Sequence, residues 1–255
     1  MSIYCASLFS GSSGNSFFVG DGKTNVLIDA GVCASKISSA LGEIGVSLPD
    51  ISAIFVTHEH SDHVCGLEVI EKHYEIPVYM KEKCARAFIK SPASSVLRNS
   101  RLYHDNFAVK IGNFEIKSFS TPHDSADSVG YTVDFGNGKI GICTDTGHIS
   151  SEMLENLTGC DAALIEANHD VEMLMRGPYP AWLKERILSD TGHLSNENCA
   201  ILAKALFESG TKSLMIGHLS KENNTPEAAR DTVFRVCEKD VRVASPDRPT
   251  ELELH

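Results

Sequence analysis

The chain has 255 residues, 42% of them apolar, and a formal net charge of −11. That length supports a sizeable core, in one large domain or two small ones. The apolar runs are strand-sized, which excludes a spanning helix of about 20 residues; the acidic balance argues against a general polyanion-binding surface; and eight cysteines without a Cys-x-x-Cys pair point to reduced thiols, not a disulfide framework.

The N-terminus, MSIYCASLFSG, lacks the basic and long apolar segments of a secretory signal, so a cytoplasmic protein is expected. Residues 5–10 and 15–21 read as strands around the Gly/Ser stretch SGSSGNS, which is too flexible for an element interior. TNVLIDAG is an apolar strand ending in Asp29 and Gly31, and KISSALGEIG is helical with Gly45 as its stop. ISAIFVT is a buried strand, followed at once by His58. CGLEVIEKHYE suits a helix and IPVYM a strand. Strands return with FAVKIG, FEIKSFS, SVGYTVDFG and KIGICTD; DFGNGK is a hairpin turn expected to centre on Asn137-Gly138. AALIEAN is another buried strand, YPAWLKERIL a helix, and Ser195 an N-cap for a helix through Leu206. KSLMIGHLS is a strand reaching His218, and Thr225-Pro226-Glu227 starts a last helix with Pro at its first position. Strands come in two batches, each followed by helices, with no linker between them. One domain over residues 1–255 is expected, made of two similar sheet-plus-helix halves. The closing ELELH reads as the start of a purification tag, and His255 is given no function.

FVTHEHSDHVCG packs three histidines and two carboxylates into His58–His63, directly after an apolar strand. Other polar residues also follow apolar strands: His123, Asp145 and His218. Strand ends on one edge of a sheet can converge on one cleft. Imidazole and carboxylate together suit Zn²⁺, Mn²⁺ or Fe²⁺. His58, His60, Asp62, His63, His123, Asp145 and His218 are too many donors for one tetrahedral ion, and two ions sharing a carboxylate would use them all.

T-H-E-H-S-D-H resembles the H-x-H-x-D-H signature of the metallo-β-lactamase fold. Asp29 in VLIDAG resembles its first motif, His123 in STPHD the third, Asp145 in CTDTG the fourth and His218 in IGHLS the fifth. The resemblance implies an α/β, four-layer αββα sandwich. It implies one metal on His58, His60 and His123, another on Asp62, His63 and His218, and Asp145 bridging them with a nucleophilic hydroxide. Antibiotic-hydrolysing members usually carry cysteine at the Asp145 position, which argues against that branch.

LIEANHD and DTGHLSNENCA resemble the Glu-containing strand end and the Gly-His-Ser/Thr helix entry of the fold's RNA-processing nucleases. The resemblance implies that Glu166 orients His193 toward the scissile phosphate, with Asp62 completing the catalytic set. SGSSGNS, EANHD, RGPYP, GHLSNEN and HLSKENN together resemble the bacterial YycJ/WalJ (VicX) group, which implies a 5′ to 3′ DNA exonuclease. Ser12, Ser13, Asn15, His169 and Ser195 are candidate phosphate contacts. For the Ser/Gly stretch and Ser195 the alternatives are a plain hairpin loop and a plain cap. Lys81, Lys83, Arg86, Lys90, Arg98 and Arg101 face a single acid, Glu82. They form either a solvated helix face or a phosphate footprint at the cleft rim. DNA is the expected partner; the other readings are a small-substrate phosphodiesterase or thioesterase, and a non-catalytic regulatory module.

Overall fold

The computed structural model describes residues 3–88 and 99–254. These form two seven-stranded sheets. The first contains β1 (Tyr4–Phe9), β2 (Ser16–Gly20), β3 (Asn25–Ile28), β4 (Ala53–Phe55), β5 (Val78–Lys81) and β6 (Ser100–Tyr103) in that order, with β14 (Thr250–Glu251) outside β1. The second runs in order from β7 (Ala108–Ile111) through β8 (Phe114–Ser120), β9 (Val129–Asp134), β10 (Lys139–Cys143), β11 (Ala162–Glu166) and β12 (Ser213–Gly217) to β13 (Arg242–Val243). In each sheet the early strands pair antiparallel and the later ones parallel, so the two halves repeat one plan.

Strand periodicity sorts the side chains into three cores. Phe17, Val19, Val26 and Ile28 point into the space between the sheets, against Tyr131, Ile142 and Leu164. Phe18 and Leu27, between them in sequence, face the other way. They pack on Ile37 and Leu41 of α1 (Ala34–Glu43) and on Leu67 and Ile70 of α3 (Leu67–Tyr74). The outer face of the second sheet packs on α5 (Ser151–Leu157), α8 (Asn196–Glu208) and α9 (Pro226–Cys237) through Leu157, Leu206 and Val233. The layers are therefore helix, sheet, sheet, helix, the expected αββα order. Strands covered on both faces need near-continuous apolar sequence, which is why ISAIFVT and AALIEAN carry so little alternation. Phe55 stacks on Tyr79 at 4.7 Å and meets the edge of Tyr131 at 5.6 Å. Truncating such a residue to Ala costs about 3–5 kcal/mol.

Local chemistry sets the helix ends. Ser195 and Thr225 accept from the backbone N–H of Asn198 and Ala228 at the starts of α8 and α9. Glu75 and Glu238 close α3 and α9 in the left-handed conformation. The hairpin turn differs from expectation. The Phe135 N–H donates to Gly138 O, and the left-handed residue is Gly136, with φ 88°. The turn thus centres one residue earlier, because Asp134 pairs with Lys139 and leaves four residues in the loop. Three further helices were not expected, α2 (Ser61–Val64), α5 and α6 (Val171–Arg176), while α4 (Glu82–Phe88) falls in the basic stretch for which a helix face was one reading. YPAWLKERIL forms α7 (Ala181–Ile187). No helix of the described residues is long and apolar enough to cross a membrane.

Candidate metal centre

The site is built on strand ends of both sheets. β3 delivers Asp29, β4 delivers Thr57 and His58, β8 leads to His123, β10 to Asp145, β11 ends at Glu166, and β12 leads to His218. Among the described residues five non-glycines have positive φ. Two are the helix-closing glutamates; the others are Asp29, Asp145 and His218, at φ 64°, 57° and 56°. Such conformations are costly for residues with a Cβ and persist where the surroundings over-determine them. Here each turns a polar side chain from its strand into the space between the sheets' ends.

Asp29 organises the HEHSDH segment. Its Oδ1 accepts from Thr57 N–H and its Oδ2 from Thr57 Oγ1, each at 2.8 Å. Oδ2 also accepts from His63 Nδ1 at 2.8 Å, which leaves His63 Nε2 facing inward. His58 Nδ1 lies 3.0 Å from Thr57 Oγ1, so its Nε2 faces the same space. The single turn of α2 carries Asp62 and His63 back toward β3, where Asn15 N–H donates to Asp62 O and Ala30 N–H to His63 O. Gly31 permits this approach: a Cβ there would stand 1.7 Å from Asp62 O.

The remaining donors are aimed from behind in the same way. His123 Nδ1 donates to Gly192 O at 3.1 Å. His218 Nδ1 donates to Glu166 Oε1 at 3.0 Å, and Asn168 Nδ2 holds His218 O. Their Nε2 atoms, with Asp145 Oδ2, are buried without a hydrogen bond. Buried polar atoms left so are expensive unless something else occupies the space. Asp145 lies at the centre, its carboxylate 3.2 Å from His63 Nε2, 3.7 Å from His123 Nε2 and 3.4 Å from His218 Nε2. Ligand atoms lie within 4.8 Å of one another in His58–His60–His123, in Asp62–His63–His218 and in His58–His63–Asp145. The orphaned nitrogens and the backing bonds that orient each imidazole fit a divalent metal centre.

The electrostatics agree. Burial, with the neighbouring His63, pushes His58 well below the ordinary histidine range, keeping its lone pair free. Burial opposes charge on His63, but Asp145 and Asp29 outweigh it and raise the imidazole to about 10. Burial likewise opposes ionisation of Asp145, yet His218 and His63 hold it well below the usual carboxylate range. Asp145 is thus held ionised in a place that cations can neutralise.

Glu166 joins this centre to a second function. Its Oε1 accepts from His193 Nδ1 at 2.7 Å as well as from His218, and its Oε2 accepts from Thr146 N–H at 2.9 Å. Burial opposes its ionisation, but His193 outweighs that and lowers it to about 2. His193 moves the other way: burial lowers it, and Glu166 raises it above its ordinary value. His193 Nδ1 is also 3.8 Å from Asp145. Asp62, His193 and His218 line a cleft of about 260 Å³ whose opposite wall is α7. A larger hollow of about 630 Å³, beside Tyr4 and Asp21, holds no such convergence of donors, so volume is not the guide here.

Residues 24–218 match the Beta-lactamase superfamily domain. The chain is 34% identical to Exodeoxyribonuclease YycJ of Bacillus anthracis over 99% of both chains. It is 39% identical to Exodeoxyribonuclease WalJ of Streptococcus pneumoniae serotype 2 (strain D39 / NCTC 7466), over 96% of this chain and 95% of that one. The chain belongs to the YycJ/WalJ family of the beta-lactamase superfamily. Zn²⁺-bound PqqB of Methylobacterium extorquens shares the fold of this YycJ/WalJ-family protein, with a TM-score of 0.75 at 16% identity over 98% of this chain and all of that one.

The seven expected metal ligands and Glu166 and His193 come together in the YycJ/WalJ-family site. The expected phosphate contacts fare unevenly. Ser12 lines the cleft, but Ser13 borders a separate groove beside Lys36 and Lys221. Asn15 is committed within the protein: its Oδ1 accepts from Gly11 N–H, and its Nδ2 lies 3.1 Å from His63 Nε2. His169 is buried with both ring nitrogens unbonded and does not line the cleft. Ser195 caps α8. Lys83 pairs with Asp127 and Arg86 with Glu82, while Lys81 is buried beside Asp127. Their helix α4 meets the loop after His123, where Cys84 Sγ bonds Asp127 O and Ala126 N–H donates to Glu59. Lys90 and Arg98 lie outside the described residues. Sequence reasoning missed Arg186, which faces the cleft from α7; in YPAWLKERIL it looks like any charged helix residue.

Proposed function

We propose that this metal-dependent hydrolase is a DNA exonuclease working 5′ to 3′ in the cytoplasm, as a single domain over residues 1–255. The observation that carries the reading is the Glu166–His193 bond beside Asp145. Ligands alone would suit many hydrolases of the fold; a carboxylate-held histidine facing the same cleft suits a phosphodiester. The names of the YycJ and WalJ relatives support the nucleic-acid substrate.

In this reading His58, His60 and His123 would hold one divalent ion and Asp62, His63 and His218 another, with Asp145 serving both. Zinc or manganese suits the donors, and iron is compatible with them. Such a pair, when bound, supplies Lewis acidity toward the phosphate and a water of lowered pKa. The rest is done by side chains. Asp62, ionised and lining the cleft, would orient the attacking water and take its proton. Glu166 accepts from Nδ1–H and favours the imidazolium form of His193, whose second proton sits on Nε2. His193 hydrogen-bonds a non-bridging oxygen and then protonates the leaving alkoxide. The raised basicity of His193 keeps that proton in place near neutral pH. Ser12 stands at the cleft for a phosphate contact, and Lys83 and Arg86 take the backbone of longer DNA, since their exposed ion pairs are weak.

A digestion panel tests this: metal-loaded protein against end-labelled single- and double-stranded DNA, RNA, cyclic nucleotides and a thioester. Mononucleotides released progressively from the 5′ end of DNA are expected. Turnover of the thioester or cyclic nucleotide alone would replace the reading with a small-substrate hydrolase, which the net charge of −11 favours.

A further inference from the structure

Helix α7 is tied to the centre at two points and to the end of α6 at a third. Arg186 Nε donates to Asp124 Oδ2 at 2.5 Å, and Asp124 follows the ligand His123. Ile187 O accepts from His193 N–H at 2.9 Å. Lys184 Nζ donates to Met175 O and Gly177 O, pinning the helix to the turn after α6. Leu183, Arg186 and Ile187 therefore form a cleft wall in fixed register with His123 and His193. Arg186 bonds through Nε, and among the described residues its two terminal nitrogens have no partner. A guanidinium so held is a ready donor pair for a phosphate.

Trp182 stands one turn before Arg186, and side chains four apart on a helix are neighbours. It is the only tryptophan in the chain and is 65% exposed. The cleft, at about 260 Å³, is smaller than the roughly 300–1,000 Å³ of pockets that enclose a whole small ligand. That volume suits a reacting phosphate better than a whole nucleotide, and Trp182, outside the cleft lining, stands exposed on the same helix as the lining residues Leu183, Arg186 and Ile187.

We propose that α7 grips the substrate strand, with Arg186 binding a phosphate oxygen inside the cleft and Trp182 stacking on the adjacent nucleobase at its rim. This rests on the nuclease reading and deepens it. Base stacking on an aromatic face tolerates any sequence, which suits an enzyme that degrades DNA from an end. It also gives a strongly acidic protein a way to hold DNA without a broad basic surface.

The lone tryptophan makes the test direct. Zinc-loaded protein is titrated with a phosphorothioate oligodeoxynucleotide, and with the same oligonucleotide carrying abasic terminal sites, while tryptophan emission and fluorescence anisotropy of a DNA label are read. Saturable quenching by the first and a much smaller change with the second are expected. Trp182→Ala should weaken binding by about 5- to 150-fold, the span of one base–aromatic stack, and Trp182→Phe should recover most of it. Arg186→Gln should reduce the salt slope of binding by about 0.7, one phosphate contact on a single strand. Unchanged emission at saturating DNA, or equal affinity for Trp182→Ala, overturns the inference while leaving DNA cleavage by the wild type standing. A wild type that neither binds nor cuts DNA overturns the nuclease reading as well.

Discussion

Asp145 meets three imidazoles with one carboxylate, from a left-handed backbone position. Asp145→Ala should therefore lose one or both ions and nearly all activity, with elemental analysis of the purified variant as the check. A fully loaded wild type holding a single ion would sink the dinuclear arrangement. His193 stacks on His218 at 5.3 Å and lies 5.1 Å from His123, but it belongs to neither ligand triad, so His193→Ala should lower turnover by about 10²–10⁴ with metal content intact. Glu166 differs, because it backs both His193 and His218. Glu166→Gln should slow the same step, and it should also weaken metal binding by about 10–100-fold, the usual cost of losing an outer partner of a ligand. Metal titrations of the two variants separate the roles, and equal affinities would show that the bond to His218 carries no weight.

Elements act here as pointers. Both sheets end their parallel strands at one edge, and the loops that follow carry the ligands, so the distance between His58 and His218 in sequence is cancelled by sheet packing. α8 adds a question of its own, since Ser195 lies two residues after His193. Its side chain accepts from Asn198 N–H, an ordinary cap. Ser195→Ala should cost about 1 kcal/mol of stability. In a chain of this size that lowers Tm by about 2–4 °C. Catalytic efficiency toward DNA should stay close to that of the wild type. A loss of more than tenfold with an unchanged Tm would mean that Ser195 serves the phosphate instead.

Across the whole molecule, acidic charge must be reconciled with an anionic substrate. Lys83→Glu with Arg86→Glu should raise KM for long DNA more than for a trinucleotide, if α4 follows the backbone beyond the cleft. Equal KM for both lengths would leave α7 as the only grip. Metal removal is the other global test. Ions that bind the folded site stabilise the fold by mass action, so chelation should lower Tm, measurable by calorimetry. Protons compete for the same imidazoles, and Asp145 and Asp29 raise His63 to about 10, so metal affinity should already fall as pH is lowered toward neutrality.

The convergence of the ligand donors was legible from residue order, because they follow strands whose apolar runs announce where they stop. The two similar halves were legible for a related reason, since two batches of strands leave the same pattern twice, while the αββα order came through the family resemblance. Glu166 and His193 were legible through resemblance, but the bond from Glu166 to His218 was not, because it joins β11 to β12 across 52 positions. The hairpin slipped by one residue because the pairing of Asp134 with Lys139, not the Asn-Gly pair, set the loop. Asn15 looked like a phosphate donor until folding turned its amide onto His63. Arg186 carries no mark in sequence. Only tertiary packing, which ties α7 to Asp124 and His193, separates it from an ordinary surface residue.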